Sequence, residues 1–129
     1  MKLLTFLALS ILYSTMSETV SAVRESVPQH KLQHVVSFKF KDDASDVQIK
    51  KVEKEFAALK EKIPEIIALE WGTNNSPEGL NKKFTHCFIV TFKDEKGRAT
   101  YLPHPDHEAF VKIIKPVLDD VFVIDFWTA

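Results

Sequence analysis

The sequence predicts an α+β fold in the order β-α-β-β-α-β, with a four-stranded antiparallel sheet. Three observations carry this. Residues 32–40 and 84–92 alternate strictly between two faces, which is strand periodicity. Residues 45–63 repeat apolar side chains at spacings of four, three and four, which is helical periodicity. Pro64 and Gly72 fall where those periods stop, and residues 73–83 form a turn-rich loop before the next strand.

The elements follow in order. From Leu32 to Phe40, the side chains of Leu32, His34, Val36, Phe38 and Phe40 share one face of a strand. Ser45 and Gln48 make a capping box that opens a helix. Val52, Phe56, Leu59 and Ile63 form its buried stripe, and Pro64 stops it. Ile66 to Trp71 is a second strand, ended by Gly72. Phe84 to Phe92 is a third, with Phe84, His86, Phe88, Val90 and Phe92 on one face and Thr85, Cys87, Ile89 and Thr91 on the other. Residues 94–118 are helical but broken by Gly97, Pro103 and Pro105. Pro105 suits a first helical position with His104 at the N-cap, and Pro116 kinks or ends the helix. Val121 to Trp127 is the fourth strand. This order is the ferredoxin-like split βαβ pattern, with a four-stranded antiparallel sheet and both helices on one face.

The strands carry apolar residues on both faces, whereas two helices cover only one. An antiparallel sheet with a solvated face should be polar there. A second copy packed sheet to sheet is therefore expected, giving a homodimer. Cys87, in an apolar run, reads as a buried small hydrophobe.

Not all 129 residues belong to that domain. Lys2 precedes an apolar stretch from Leu3 to Tyr13, too short for a membrane span, and Val20-Ser21-Ala22 places small residues at a cleavage site. Residues 1–22 read as a signal peptide of a secreted or periplasmic protein, residues 23–30 as a flexible arm and residues 31–129 as the domain. After signal cleavage no membrane association is expected. The formal net charge of −1 lacks the basic excess of a nucleic-acid binder. One cysteine excludes an intramolecular disulfide framework. Phosphate-binding glycine loops, dinucleotide fingerprints and serine nucleophile elbows are missing from a chain with 3 Gly, and no cofactor is expected.

The polar residues that chemistry would need fall on the apolar faces. Stepping the last helix's stripe back from Phe110 by three gives His107, and Tyr101 lies on the preceding helical turn. His34 and His86 sit on the inward faces of the first and third strands, beside Phe38 and Phe88. If those faces meet the helices, all of these residues line one apolar space. A buried imidazole tends to be neutral and can serve as general base. A buried phenol can donate to a developing enolate oxygen. His107 as base and Tyr101 as donor would serve proton abstraction beside a carbonyl or an aldol-type closure. His34, His86, Phe38 and Phe88 would bind the substrate. The alternative is a non-catalytic dimer that binds a small molecule or serves stress stability. A weaker one is a metal site built on His104 and His107 with His34 or His86, but Pro105 and the cap role of His104 turn those rings apart, and no metal is expected.

These residues resemble the stress-responsive dimeric A/B barrel (Dabb) family. The likeness covers residues 31–128. Its landmarks are His34-Val35-Val36-Ser37-Phe38-Lys39-Phe40-Lys41, Glu70-Trp71-Gly72, Phe84-Thr85-His86, Tyr101-Leu102-Pro103-His104-Pro105-Asp106-His107 and Val123-Ile124-Asp125-Phe126. The resemblance implies a ferredoxin-like monomer that dimerises into an α/β barrel. It also implies an olivetolic acid cyclase-like chemistry, a cofactor-free aldol condensation in which the positions matching His107 and Tyr101 act as base and orienting donor and those matching His34 and His86 line the pocket. Other members are stress-induced stable oligomers, and some plant members bind magnesium near the dimer interface, at a site with no clear match here. The signal peptide departs from the intracellular plant members, and Gly97 and Pro103 alter the segment before the His-Pro element.

Overall fold

The computed structural model describes residues 30–129. The signal peptide expected at 1–22 and all but the last residue of the expected arm lie outside the described residues. The elements are β1 (Leu32–Phe40), α1 (Asp46–Lys62), β2 (Ile66–Thr73), β3 (His86–Phe92), α2 (Glu95–Tyr101), α3 (Pro105–Ile114) and β4 (Leu118–Trp127). The four strands form one antiparallel sheet in the order β2-β3-β1-β4. This is the ferredoxin-like α+β arrangement, with the broken segment resolved into two helices rather than one.

Local chemistry explains the boundaries. The Ser45 hydroxyl accepts from the Gln48 backbone N–H at 3.2 Å, and the Gln48 side chain accepts from the Ser45 N–H at 2.9 Å. This reciprocal cap fixes the start of α1. Ile63 caps its far end just before Pro64. α3 ends at Ile114, before Pro116, as the missing proline N–H requires.

Three strand ends differ from the sequence expectation. β2 runs through Gly72 to Thr73, because Trp71, Gly72 and Thr73 pair with Phe88, Cys87 and His86. β3 starts at His86 rather than Phe84. β4 starts at Leu118 rather than Val121, and a register shift between Lys39 and Phe40 accommodates the added residues.

The core lies between the sheet and the helices. Phe38, Phe56, Phe88 and Phe110 form its aromatic centre, with the Phe56 and Phe88 rings 4.1 Å apart and Phe56 edge-on to Phe110 at 4.8 Å. The opposite face is uncovered in the single chain. Phe122, Ile124 and Phe126 stand there half exposed. Cys87 is also on that face, cross-strand from Ser37 and Gly72, and it is exposed rather than buried. An apolar neighbourhood in sequence misassigned it because both faces of this sheet are apolar.

β4 departs further from a simple two-layer picture. Val121, Val123 and Trp127 pair with Phe38, Val36 and Leu32, so they face the helix side. They are nonetheless 44%, 48% and 45% exposed. The helices stop short of this edge strand, and the gap between them and β4 is a cavity.

Candidate functional site

The cavity has a volume of about 670 Å³. Its walls come from β1, β4 and all three helices. Phe38, Phe56, Phe110, Ile114, Val121 and Val123 make it apolar, and His34, Arg98, Tyr101, His107 and Asp125 supply its polar groups. A few convergent polar groups in an apolar concavity is the usual composition of a small-molecule site.

The break between α2 and α3 places Tyr101 and His107. Tyr101 is the last residue of α2, and Leu102 caps it. His104 then caps α3, its Nδ1 accepting from the Asp106 backbone N–H at 3.2 Å, and Pro105 occupies the first turn. His107 follows one turn in and lies against Tyr101, with ring centroids 4.3 Å apart. His107 Nδ1 is 2.8 Å from the Leu102 carbonyl oxygen. A carbonyl only accepts, so Nδ1 carries the proton and the neutral ring keeps its lone pair on Nε2. Burial holds the His107 imidazole below its ordinary value of 6.5, against the smaller opposing pull of the Leu102 carbonyl.

Tyr101 is fully buried, and its hydroxyl has no hydrogen-bond partner among the described residues. Burial pushes the phenol well above its usual range, so it is a donor and not a phenolate at neutral pH. An unpaired buried hydroxyl costs stability.

His34 stands on β1 with its ring centroid 5.9 Å from that of Tyr101. Its Nδ1 is 2.7 Å from Asp125 Oδ1, and the other oxygen of Asp125 accepts from Arg98 at 2.6 Å. Asp125 lies directly across from His34 in the β1–β4 register. Sequence reasoning missed both Asp125 and Arg98. Asp125 was detectable as the one charge in the alternation Val121, Val123, Trp127; Arg98 carried no periodic signal.

Two expected residues are elsewhere. His86 pairs across from Phe38, whereas His34 pairs across from Val90, so the two imidazoles are four positions apart along the sheet, about 13 Å. His86 donates from Nε2 to Glu53 Oε1 at 3.0 Å, its Nδ1 is 2.8 Å from the Thr85 hydroxyl, and the Trp71 indole stacks parallel to it. That hydrogen bond from His86 is the main reason the Glu53 carboxyl lies below its ordinary value of 4.5, with Lys50 adding to it. Phe88 is fully buried between Phe56 and Trp71 and does not line the cavity. Both share a strand face with cavity residues at a height that the cavity does not reach. Phe38 lines the cavity as expected. Among the described residues no group of three or more His, Cys, Asp or Glu is placed to hold a metal.

A ferredoxin-like sheet with a helix-roofed apolar pocket and a Tyr-x-x-His-Pro-x-His break defines a small α+β barrel-type domain. The profile of the Stress Responsive A/B Barrel Domain family matches residues 32–128, and the chain belongs to that family. It is 37% identical over 95 residues to the stress-response A/B barrel domain-containing protein HS1 of Arabidopsis thaliana, covering 74% of this chain and 87% of that one. Olivetolic acid cyclase of Cannabis sativa is 24% identical over 95 residues, covering 74% of this chain and 94% of the cyclase. Among solved structures, the hydroxynitrile lyase of Passiflora edulis superposes with a TM-score of 0.73 at 24% identity, covering 79% of this chain and 96% of the lyase. A dimeric ferredoxin-like protein of Thermobifida fusca superposes with a TM-score of 0.68 at 24% identity, covering 81% and 96%.

Proposed function

We propose that this chain is a cofactor-independent enzyme that moves a proton on a small apolar carbonyl compound, in the manner of a lyase, cyclase or isomerase. His107 Nε2 is the base and the Tyr101 hydroxyl the donor to the oxygen on which negative charge develops. The observation that carries the reading is the unpartnered Tyr101 hydroxyl beside an imidazole whose Nδ1 is committed to Leu102. Two relatives of different activity, a cyclase and a hydroxynitrile lyase, support a proton-transfer chemistry without fixing a substrate. The hydroxyl is shielded from water, so a substrate oxygen would have to displace a neighbouring side chain to reach it, and the ring packed on Tyr101 that is only half-buried is His107.

In the reaction the base takes a proton from the carbon beside the carbonyl, electrons flow into the C=O bond, and the enolate oxygen accepts the Tyr101 hydrogen bond. Reprotonation at carbon returns the proton. The test is deuterium incorporation from D₂O into the α-positions of benzylacetone, followed by NMR, with mandelonitrile cleavage as a second substrate. Exchange or cleavage above buffer that falls about 100-fold or more in His107→Ala supports the reading. Rates equal to buffer with both compounds overturn it.

The working unit is a homodimer joined through the open sheet face, supported by the apolar row Phe122, Ile124 and Phe126 and by the dimeric neighbour of the same fold. Residues 1–22 direct export and are then removed; N-terminal sequencing of protein recovered from an export-competent host would find a start near Val23, and an intact Met1 in that fraction would refute it.

A further inference from the structure

We infer that the cavity takes an uncharged apolar molecule carrying a hydroxyl next to a carbonyl, and that Asp125 and Arg98 are the positioning residues that make His34 a reader of that hydroxyl. The inference deepens the proposed function, since it concerns the same cavity. Its basis is a count of the hydrogen-bonding valences left open.

His107 has its Nδ1 proton on the Leu102 carbonyl and offers Nε2 as an acceptor. His34 has its Nδ1 against a carboxylate, which also only accepts, so its Nδ1 carries a proton and the uncharged form of the ring would offer Nε2 as an acceptor. Tyr101 offers a donor with no partner. The lining thus presents two acceptors and one donor, on three rings packed against one another. On the proposed function Tyr101 donates to the substrate's carbonyl oxygen and His107 faces the neighbouring C–H bond, which leaves His34 Nε2 to be met by a ligand donor close to that carbonyl, and an uncharged hydroxyl is the simplest such donor.

Charge argues for neutrality. Arg98 and Asp125 are paired at 2.6 Å and cancel. Both oxygens of Asp125 are used, one by His34 and one by Arg98, so no carboxylate oxygen is left for a cationic ligand. An anionic ligand would find no net positive charge there, since the guanidinium of Arg98 is already paired with Asp125. The remainder of the wall is aliphatic and aromatic, which suits a phenyl or short alkyl body. Arg98, from α2, reaches over to β4 and holds the carboxylate that orients a ring on β1. That clamp fixes the imidazole tautomer in the way a carboxylate does behind other functional histidines.

The test compares four compounds for binding to the purified protein by calorimetry: 2-hydroxyacetophenone with its hydroxyl on the α-carbon, acetophenone, 1-phenylethanol and mandelate. The hydroxyketone is expected to bind about 5- to 100-fold tighter than the ketone or the alcohol, because the ketone has no donor for His34 and the alcohol has one oxygen to serve Tyr101 and His34 where the hydroxyketone has two. Mandelate is expected to bind weakest. In His34→Phe the preference for the hydroxyketone over acetophenone collapses while acetophenone binds as before. In Asp125→Leu the preference also falls, and ¹⁵N shifts of the His34 ring show the proton leaving Nδ1. Equal affinities for the three neutral compounds, tightest binding of mandelate, or an Asp125→Leu protein that keeps both the preference and the Nδ1 proton would overturn the inference. Binding is read without turnover. Selective binding with neither deuterium exchange nor mandelonitrile cleavage therefore sinks the proton-transfer reading alone, and either activity without selectivity sinks this inference alone.

Discussion

Tyr101 is the residue at which stability and function pull apart. Its hydroxyl is buried and unpaired, so Tyr101→Phe removes a desolvation cost without changing the ring. Urea denaturation of Tyr101→Phe is expected to give unchanged or up to about 1 kcal/mol greater stability, with proton exchange on benzylacetone reduced. A large loss of stability would show that the hydroxyl has a structural partner. His107 carries a pH signature. Its depressed folded value favours the neutral ring, so both the base form and the stability it lends are complete above the ordinary value of 6.5 and are lost as pH falls through the lower folded one. The rate profile should therefore keep its plateau down to pH 6.5 and fall only below it, and His107→Gln should abolish that limb. The sequence exposed these two residues because a helical stripe fixes direction: stepping back from Phe110 by one turn lands on His107 whatever the rest of the fold does. It placed His34 rightly by alternation. It misplaced His86, because alternation gives the face of a strand and not its height, and height depends on a register set by loops.

At the scale of elements, α1 is held at two points of different kind. The capping box fixes its start, and Ser45→Ala is expected to cost about 1 kcal/mol in chemical denaturation. The buried Glu53–His86 bond ties its middle to β3. Glu53 has a depressed folded value, so its contribution is present above the ordinary value of 4.5 and disappears as pH falls through the folded one. Glu53→Gln should therefore destabilise the protein by about 1–3 kcal/mol near neutral pH and by progressively less in acid below 4.5, measured by thermal unfolding across pH. A constant deficit at all pH values would mean that packing and not charge is lost. Glu53 was legible only in retrospect, three residues before Phe56 on the edge of the apolar stripe, where a carboxylate needs a partner. The split into α2 and α3 was legible from Pro103 and Pro105. What those prolines do for the site was not, because the freed Leu102 carbonyl becomes a ligand for His107 only in three dimensions.

At the scale of the whole molecule, the two-faced sheet was legible from composition, since nine of the ten Phe fall in one small domain and exceed what one core can hide. The position of the uncovered surface was only half legible. The open face was expected, whereas the gap beside β4 on the helix side depends on where the helices end. If the open face is the dimer surface, Phe122→Glu with Ile124→Glu should turn a dimer into a monomer by light scattering at micromolar concentration, with the hydroxyketone still bound by each chain. A wild-type monomer that stays soluble would remove the reason for a partner.

The strand order has a consequence in time. β1 is synthesised first and β4 last, yet they are neighbours, with Leu32 across from Trp127. β1 lies between β3 and β4, so one whole side of the first strand waits for the last ten residues of the sheet. The entropy of closing nearly the full length of the domain comes before the reward of pairing, which makes this a slow step. A nascent chain therefore emerges without its sheet closed and without Asp125 against His34, and it remains threadable until β4 has been made. Arrested chains that end before Leu118 should stay protease-sensitive, and resistance should appear only once Trp127 has cleared the ribosome.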